Sequence, residues 1–226
     1  MRFGDNAHDR GTTAETRGRG MAKQRARTTA TVGVAENGNS AELVTLGPDG
    51  ALLDRRRVDL THGLPTHPYH HEGSWAVGRY LNSAWARPVA LADAIALVER
   101  VQAAAAEGAA ACLAALATAV TVPVAAISLR ACAELPASTE ERIRDARAAS
   151  MADSILYREA LAQAARARGW HVHWYERETV FREAGAATGG KDVETLLRAM
   201  GHAAGPPWQA RHKLAAAAAL AAGASV

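Results

Sequence analysis

The sequence predicts an α/β fold, and three observations carry that prediction. Three short strand-like stretches, the first of them β-branched, follow one another near the start, separated by turn signals. A near-continuous apolar run at residues 120–129 (VTVPVAAISL) reads as a central strand covered on both faces. Stretches with helical periodicity alternate with the later strands, the order that builds helices onto a sheet.

In chain order, residues 29–35 (TATVGVA) form the first strand, closed by the turn signal Glu36-Asn37-Gly38. Residues 41–46 form the second, and Pro48-Asp49-Gly50 turns the chain, since proline presets φ and glycine accepts a positive φ. Residues 51–60 complete an antiparallel meander. An irregular stretch with two prolines and four histidines follows at 61–74, then a helix over 74–86. A stronger helix covers 91–106, with Leu91, Ala94, Ile95, Val98 and Val101 on one stripe; Gly108 breaks it and 109–119 resumes. Pro123 weakens the strand reading of the apolar run, because a central strand cannot easily lose a donor. A long helix spans 139–168, opened by the Ser138/Glu141 capping box and ended by Gly169. Residues 170–175 (WHVHWY) are a strand, 191–200 a short helix and 208–222 a closing alanine-rich helix.

The 226 residues are 49% hydrophobic and 22% charged, the balance of a globular protein of one domain plus a tail. Cys112 and Cys132 make no disulfide framework, which favours a reducing, cytoplasmic setting. No apolar run is expected to span a bilayer, and the first thirty residues have arginines without the apolar core of a secretory signal. Residues 1–29 hold seven basic and three acidic side chains, a surplus larger than the +3 of the whole chain. With almost no large apolar residues, this segment is expected to be a disordered basic tail ahead of a domain at 30–226. It reads either as an arm for a polyanion or as sequence upstream of a start at Met21.

The order of elements resembles the ribonuclease H-like fold, and within it the Holliday-junction resolvases. Glu36-Asn37-Gly38 matches the acid-x-Gly of that family's first strand, and His212-Lys213-Leu214-Ala215-Ala216 matches its last helix except at the key acid, which here is Ala215. Lys191 in Gly189-Gly190-Lys191 is similar to a lysine at the start of the preceding helix. The resemblance implies a mixed five-stranded sheet, its first three strands antiparallel, with helices on both faces. It also implies nucleic acid as partner, a homodimer, and cleavage of phosphodiesters by two Mg²⁺ or Mn²⁺ ions held by carboxylates. Glu36 supplies one. Near 128–130 there is no acid, Glu134 being the next, and the last helix has none. One ligand cannot hold two metals, so two-metal chemistry is expected to be weakened or lost, with Glu36 and His212 carried over and Glu134 and Asp153 as helpers.

Other residues keep alternatives open. His62, His67, His70, His71 and Glu72 crowd into one loop. His70, His71 and Glu72, with Glu36, form a candidate rebuilt metal site, against the reading of an exposed histidine-rich loop. On the long helix, Ile143, Ala146, Ser150, Ser154, Tyr157, Leu161 and Ala164 share a stripe at 100° per residue. Asp153 borders it, and Arg147 and Arg158 flank the other edge. Asp153, Tyr157 and Arg158 there form either a ligand pocket or an inter-helix hydrogen-bond network. Along 170–175, His171, His173 and Tyr175 share one face, suited to stacking a nucleotide or simply wetter. Phosphate-loop, dinucleotide, serine-hydrolase and zinc-ribbon signatures are lacking. Three functions therefore stand together: a ribonuclease H-like protein binding nucleic acid or a nucleoprotein partner with faded nuclease chemistry, an active metal-dependent nuclease or hydrolase with a rebuilt His/Glu site, and a non-catalytic protein-interaction scaffold.

Overall fold

The computed structural model describes residues 28–224; the reading of residues 1–27 as a basic tail lies outside them. Strands β1 (Ala30–Asn37), β2 (Ser40–Leu46) and β3 (Leu52–Asp59) form the antiparallel meander, and β4 (Val124–Arg130) and β5 (His171–Tyr175) run parallel to β1. The sheet order is β3-β2-β1-β4-β5, the mixed arrangement expected of a ribonuclease H-like fold. Pro123 sits one residue outside β4, so the strand loses no donor, and the Pro123 carbonyl accepts the Ala30 N–H at 2.8 Å.

Side chains alternate along β1 and so sort between two layers. Val32 and Val34, with Leu43, Ile127 and Leu129 of neighbouring strands, pack under α2 (Leu91–Ala119) and α4 (Ala146–Ala167). Ala35, with Val44, Leu46 and Tyr175, packs under α5 (Val180–Ala187), α6 (Val193–Ala204) and α7 (Ala210–Gly223). Gly33 lies on the α7 side, where a Cβ would overlap the Ala215 carbonyl oxygen, so backbone rests on backbone.

Four local expectations change. The helix over 74–86 reduces to α1 (Gly73–Ala76), preceded by a π-helical turn at Pro68–Glu72. Gly78 at φ 74° takes the chain out of helix, and Trp75, Tyr80 and Trp85 pack on one another with ring centroids 5.0–5.6 Å apart in place of helical order. The break at Gly108 does not occur. α2 runs through it, and glycine is needed there because the Leu60 carbonyl presses against that position. The long helix divides into α3 (Thr139–Arg144) and α4 at Asp145, whose extended backbone and carboxylate, accepting the Ala148 N–H at 2.6 Å, cap a new helix. The Ser138/Glu141 capping box opens α3 as expected. The restart rotates the inner stripe: Ala146 and Ser150 face out, while Ala149, Ala152, Asp153 and Leu156 face in. α5 has no counterpart in the sequence reading.

Helix α2 is long and apolar enough, by length and composition, to cross a membrane, which the sequence reading had excluded. Its stripe Ala94, Val98, Val101, Ala105, Ala109, Leu113 and Leu116 is buried in the core on this side of the sheet, while 28% of its apolar window as a whole is enclosed.

Candidate functional site at the mouth of the sheet

The carboxyl ends of β1, β4 and β5 converge at one edge of the sheet, where ligands settle in open α/β sheets. Glu36 stands there at the end of β1. By alternation it belongs with Val32 and Val34, on the α4 side, and its Oε1 accepts a hydrogen bond from Arg158 Nε at 2.7 Å. The two side chains are only 7% and 9% exposed. Arg158 Nη1 also donates to the Ala131 carbonyl at 3.1 Å, so one guanidinium ties β1 to the chain leaving β4. A buried pair of this kind is costly to break, because the survivor is left an uncompensated charge.

The other side of the mouth is apolar. The β1 residue facing α7 is Ala35, and Ala215 on α7 is fully enclosed beside it. On β4, the Ser128 hydroxyl bonds His173 Nδ1 at 2.9 Å. Burial lowers the His173 pKa, the Glu183 charge opposing it. Tyr175 donates its hydroxyl to the Val34 carbonyl at 2.9 Å, and burial pushes its pKa upward.

Beside the Glu36–Arg158 pair opens a cavity of about 430 Å³, lined by Arg130, Cys132, Ser150, Ser154 and Glu176 together with Arg158. Burial raises the Cys132 thiol pKa, partly offset by the Arg158 charge. Arg130 makes no ion pair among the described residues. Sequence reasoning missed this wall; an arginine closing an apolar strand at a sheet mouth was the available signal.

The remaining predicted residues scatter. Asp153, 2% exposed, accepts the backbone N–H groups of Tyr69 at 2.8 Å and His70 at 3.0 Å, with His67 Nδ1 3.8 Å away. Burial drives its pKa up to about 7, against the pull of those two bonds. Tyr157 donates its hydroxyl to the Thr66 carbonyl at 2.9 Å, and burial pushes its pKa up to about 12. Asp153 and Tyr157 thus hold the 66–70 segment onto α4. His70 is half-buried and its pKa lowered, by burial first and then by Arg79, His67 and His71; His71 is exposed. His212 Nδ1 accepts the Gln209 N–H at 3.1 Å, capping α7, while its Nε2 lies 3.4 Å from Glu42 and its ring stacks on Trp208. Glu134 and Lys191 are exposed. Among the described residues, no three His, Cys, Asp or Glu side chains gather closely enough to share a metal ion.

Two solved structures are similar in the path of the chain. One is the Thermus thermophilus RuvC in complex with a Holliday junction substrate, at 14% identity and TM-score 0.45 over 85% of this chain and 91% of that one. The other is a Thermus thermophilus RuvC structure, also 14% identical, at TM-score 0.40 over 85% and 92%. No protein-family model and no curated protein sequence matches the chain.

A pair of Mg²⁺ ions requires several carboxylate oxygens on facing elements. The facing positions here are Ala35, Ser128 and Ala215; of the two acids at the mouth, Glu36 is bound to an arginine and Glu176 lines the adjoining cavity. The donor set does not fit two metals. The adjoining cavity carries Arg130 together with the carboxylate of Glu176, Glu36 being already paired with Arg158.

Proposed function

We propose that this chain is a ribonuclease H-like protein that binds nucleic acid, alone or within a nucleoprotein partner, with its two-metal nuclease chemistry weakened or lost. The observation that carries the reading is the Glu36–Arg158 bond at 2.7 Å. The carboxylate that would anchor a metal is spent on holding β1 to α4, and the same bond cancels the negative charge of Glu36. With Glu36 cancelled, Arg130 and the hydroxyls of Ser150 and Ser154 in the adjoining cavity suit a phosphodiester, Glu176 being the one acid that lines the same cavity.

The test is the salt dependence of binding to single-stranded, double-stranded and branched DNA by the full chain. The logarithm of affinity is expected to fall linearly with the logarithm of salt, and Arg130→Ala to reduce that slope by about 0.7–0.9, one phosphate contact. Any contribution from residues 1–27 is common to both proteins and drops out of the difference. A slope that Arg130→Ala leaves unchanged removes the mouth from the binding surface. Absence of binding to all three DNAs overturns the reading in favour of a protein-interaction scaffold.

A further inference from the structure

Between α1 and α2 the chain runs through residues 77–90 as a series of turns, with neither helix nor strand. The stretch 73–92 holds Trp75, Tyr80, Leu81 and Trp85, and its only charged side chains are Arg79 and Arg87. Leu81 is 60% exposed and Trp85 59%, more than any other large apolar side chain among the described residues. Single apolar residues at a surface are ordinary. Two on one short segment, beside an aromatic cluster, make a patch of the kind that marks a contact site.

Trp85 is held in place. Its footing is Trp75, which is buried; the two rings meet edge to face at 88°, with centroids 5.0 Å apart. Tyr80 closes the triangle, 5.2 Å from Trp85 and 5.6 Å from Trp75. The backbone beneath is pinned by turns. The Arg79 N–H donates to the Ser74 carbonyl at 3.0 Å, the Ser83 N–H to the Tyr80 carbonyl at 2.9 Å, and the Ala86 N–H to the Ser83 carbonyl at 3.0 Å. Arg79 Nη2 donates to the Ile143 carbonyl and fastens the segment to the end of α3. A ring already fixed, yet more than half exposed, has little freedom left to lose when something stacks on it.

The charge around this shelf has one sign. Arg87 is exposed, its guanidinium 5.8 Å from the Trp75 ring centre. Neither it nor Arg79 makes an ion pair among the described residues. Of the acids on neighbouring α3, Glu140 pairs with Arg144 and Glu141 is taken up by the Ser138 cap. A partner that suits the shelf therefore brings a flat apolar face and a negative charge close together. A nucleotide carries both in one unit, as base and phosphate, whereas in an acidic peptide they sit on different residues. In a duplex each base is covered on both faces by its neighbours and shows only its edges in the grooves, so the shelf is open to unpaired bases alone.

The shelf also lies at the right end of the sheet. Thr66 presses against the Gly38 position at the β1–β2 turn, which sets the stretch leading into the shelf at the carboxyl end of β1. Ser150 and Ser154, in the first turns of α4 beyond Ile143, line the cavity at Arg130. Shelf and cavity thus both adjoin the corner between α3 and α4.

We propose that Trp85 is a stacking shelf for an unpaired base of single-stranded nucleic acid, with Arg87 taking the neighbouring phosphate. The inference rests on the nucleic-acid reading given above and narrows it to strands with unpaired bases.

The test measures binding of the full chain to a single-stranded oligothymidylate of about twelve nucleotides and to a duplex of the same length, by anisotropy of the labelled DNA. Trp85→Leu is expected to weaken single-strand binding about tenfold and to leave duplex binding within about twofold. Trp85→Phe, which keeps an aromatic face, should retain most of the affinity. Intrinsic tryptophan emission should be quenched by the oligothymidylate in the native chain and much less in Trp85→Phe. Arg87→Ala, at an exposed position, should lower the single-strand salt slope by about 0.7 and reads the proposal independently of any change in packing. Single-strand binding that Trp85→Leu leaves intact, or a loss equal for single strand and duplex, overturns the proposal. So does a native chain that self-associates in sedimentation through Trp85, since the shelf then belongs to a second copy. DNA binding sensitive to Arg130→Ala but indifferent to Trp85→Leu keeps the mouth and removes only the shelf; the converse keeps the shelf and removes the mouth. Absence of binding to either DNA overturns both.

Discussion

The two faces of the sheet are built on opposite principles. The face under α2 and α4 is filled by large side chains, and polar ties cross it at defined points: Arg158 to Glu36, Asp153 to the Tyr69 and His70 amides, Tyr157 to the Thr66 carbonyl. On the other face, the crossing of α7 over β1 is nearly free of side-chain bulk. Gly33 and the run Ala215–Ala219 bring helix and strand together through their backbones, and the Thr31 hydroxyl donates to the Ala219 carbonyl at 2.9 Å. The first face depends on charge and hydrogen bonding, the second on closeness.

The largest effect should follow from adding bulk to the close face. Gly33→Ala forces a methyl into the Ala215 carbonyl, with backbone on both sides and nothing flexible to yield. The thermal midpoint is expected to fall by more than about 10 °C, or the protein to fail to fold. A drop below about 3 °C would mean that α7 has room to lift and that the two faces do not differ in this respect.

Next comes the charged tie of the other face. Glu36→Leu or Arg158→Met alone should cost about 3–5 kcal/mol in urea unfolding, each leaving a buried charge unpaired, and the double variant should recover most of the loss. Additive losses would show that the two residues act separately.

The Asp153 tie should be visible as a pH dependence. Its folded pKa, about 7, lies above its ordinary value of 3.8, so between those limits the folded state binds more protons than the unfolded one. Its contribution to stability is therefore fully present at low pH and declines as pH rises from about 4 to about 7. The lowered pKa values of His70, His173 and His212 act in the opposite direction. The difference between the native chain and Asp153→Asn isolates the carboxylate: the native midpoint should fall relative to the variant's over that range. Parallel curves would contradict the assignment.

The smallest expected effect tests a point where the bulky face also relies on closeness. Alanine normally stabilises a helix interior over glycine by about 1 kcal/mol. At Gly108 a Cβ meets the Leu60 carbonyl, so Gly108→Ala should instead destabilise by about 1–3 kcal/mol. A gain in midpoint would show that the Leu60 turn can move aside.

Much of this architecture was legible in the residues. The meander, the buried β4, the capping box at Ser138 and the alanine-rich last helix follow from periodicity and turn chemistry, which are local. What escaped was set by distant contacts. Gly108 reads as a breaker unless the Leu60 carbonyl is known to press on it. Asp145 reads as one more charged helical residue unless the restart of α4 is seen, and that restart turned Ser150 outward and Asp153 inward. The site was legible only as a deficit: Glu36 is the lone acid closing the first strand, and the family resemblance sets Ala215 where that family has another. That Glu36 is paired with Arg158, 122 positions away, was not, because nothing local links the two.

The account turns on whether Glu36 serves the fold or a metal. Cleavage of branched, double-stranded and single-stranded DNA by the full chain, with Mg²⁺ or Mn²⁺ added and with Glu36→Gln alongside, measures this most directly. No metal-dependent cleavage above background is expected from either protein, while Glu36→Gln unfolds at lower urea than the native chain. Robust metal-dependent cleavage that disappears in a folded Glu36→Gln protein would make Glu36 a metal ligand and contradict the account.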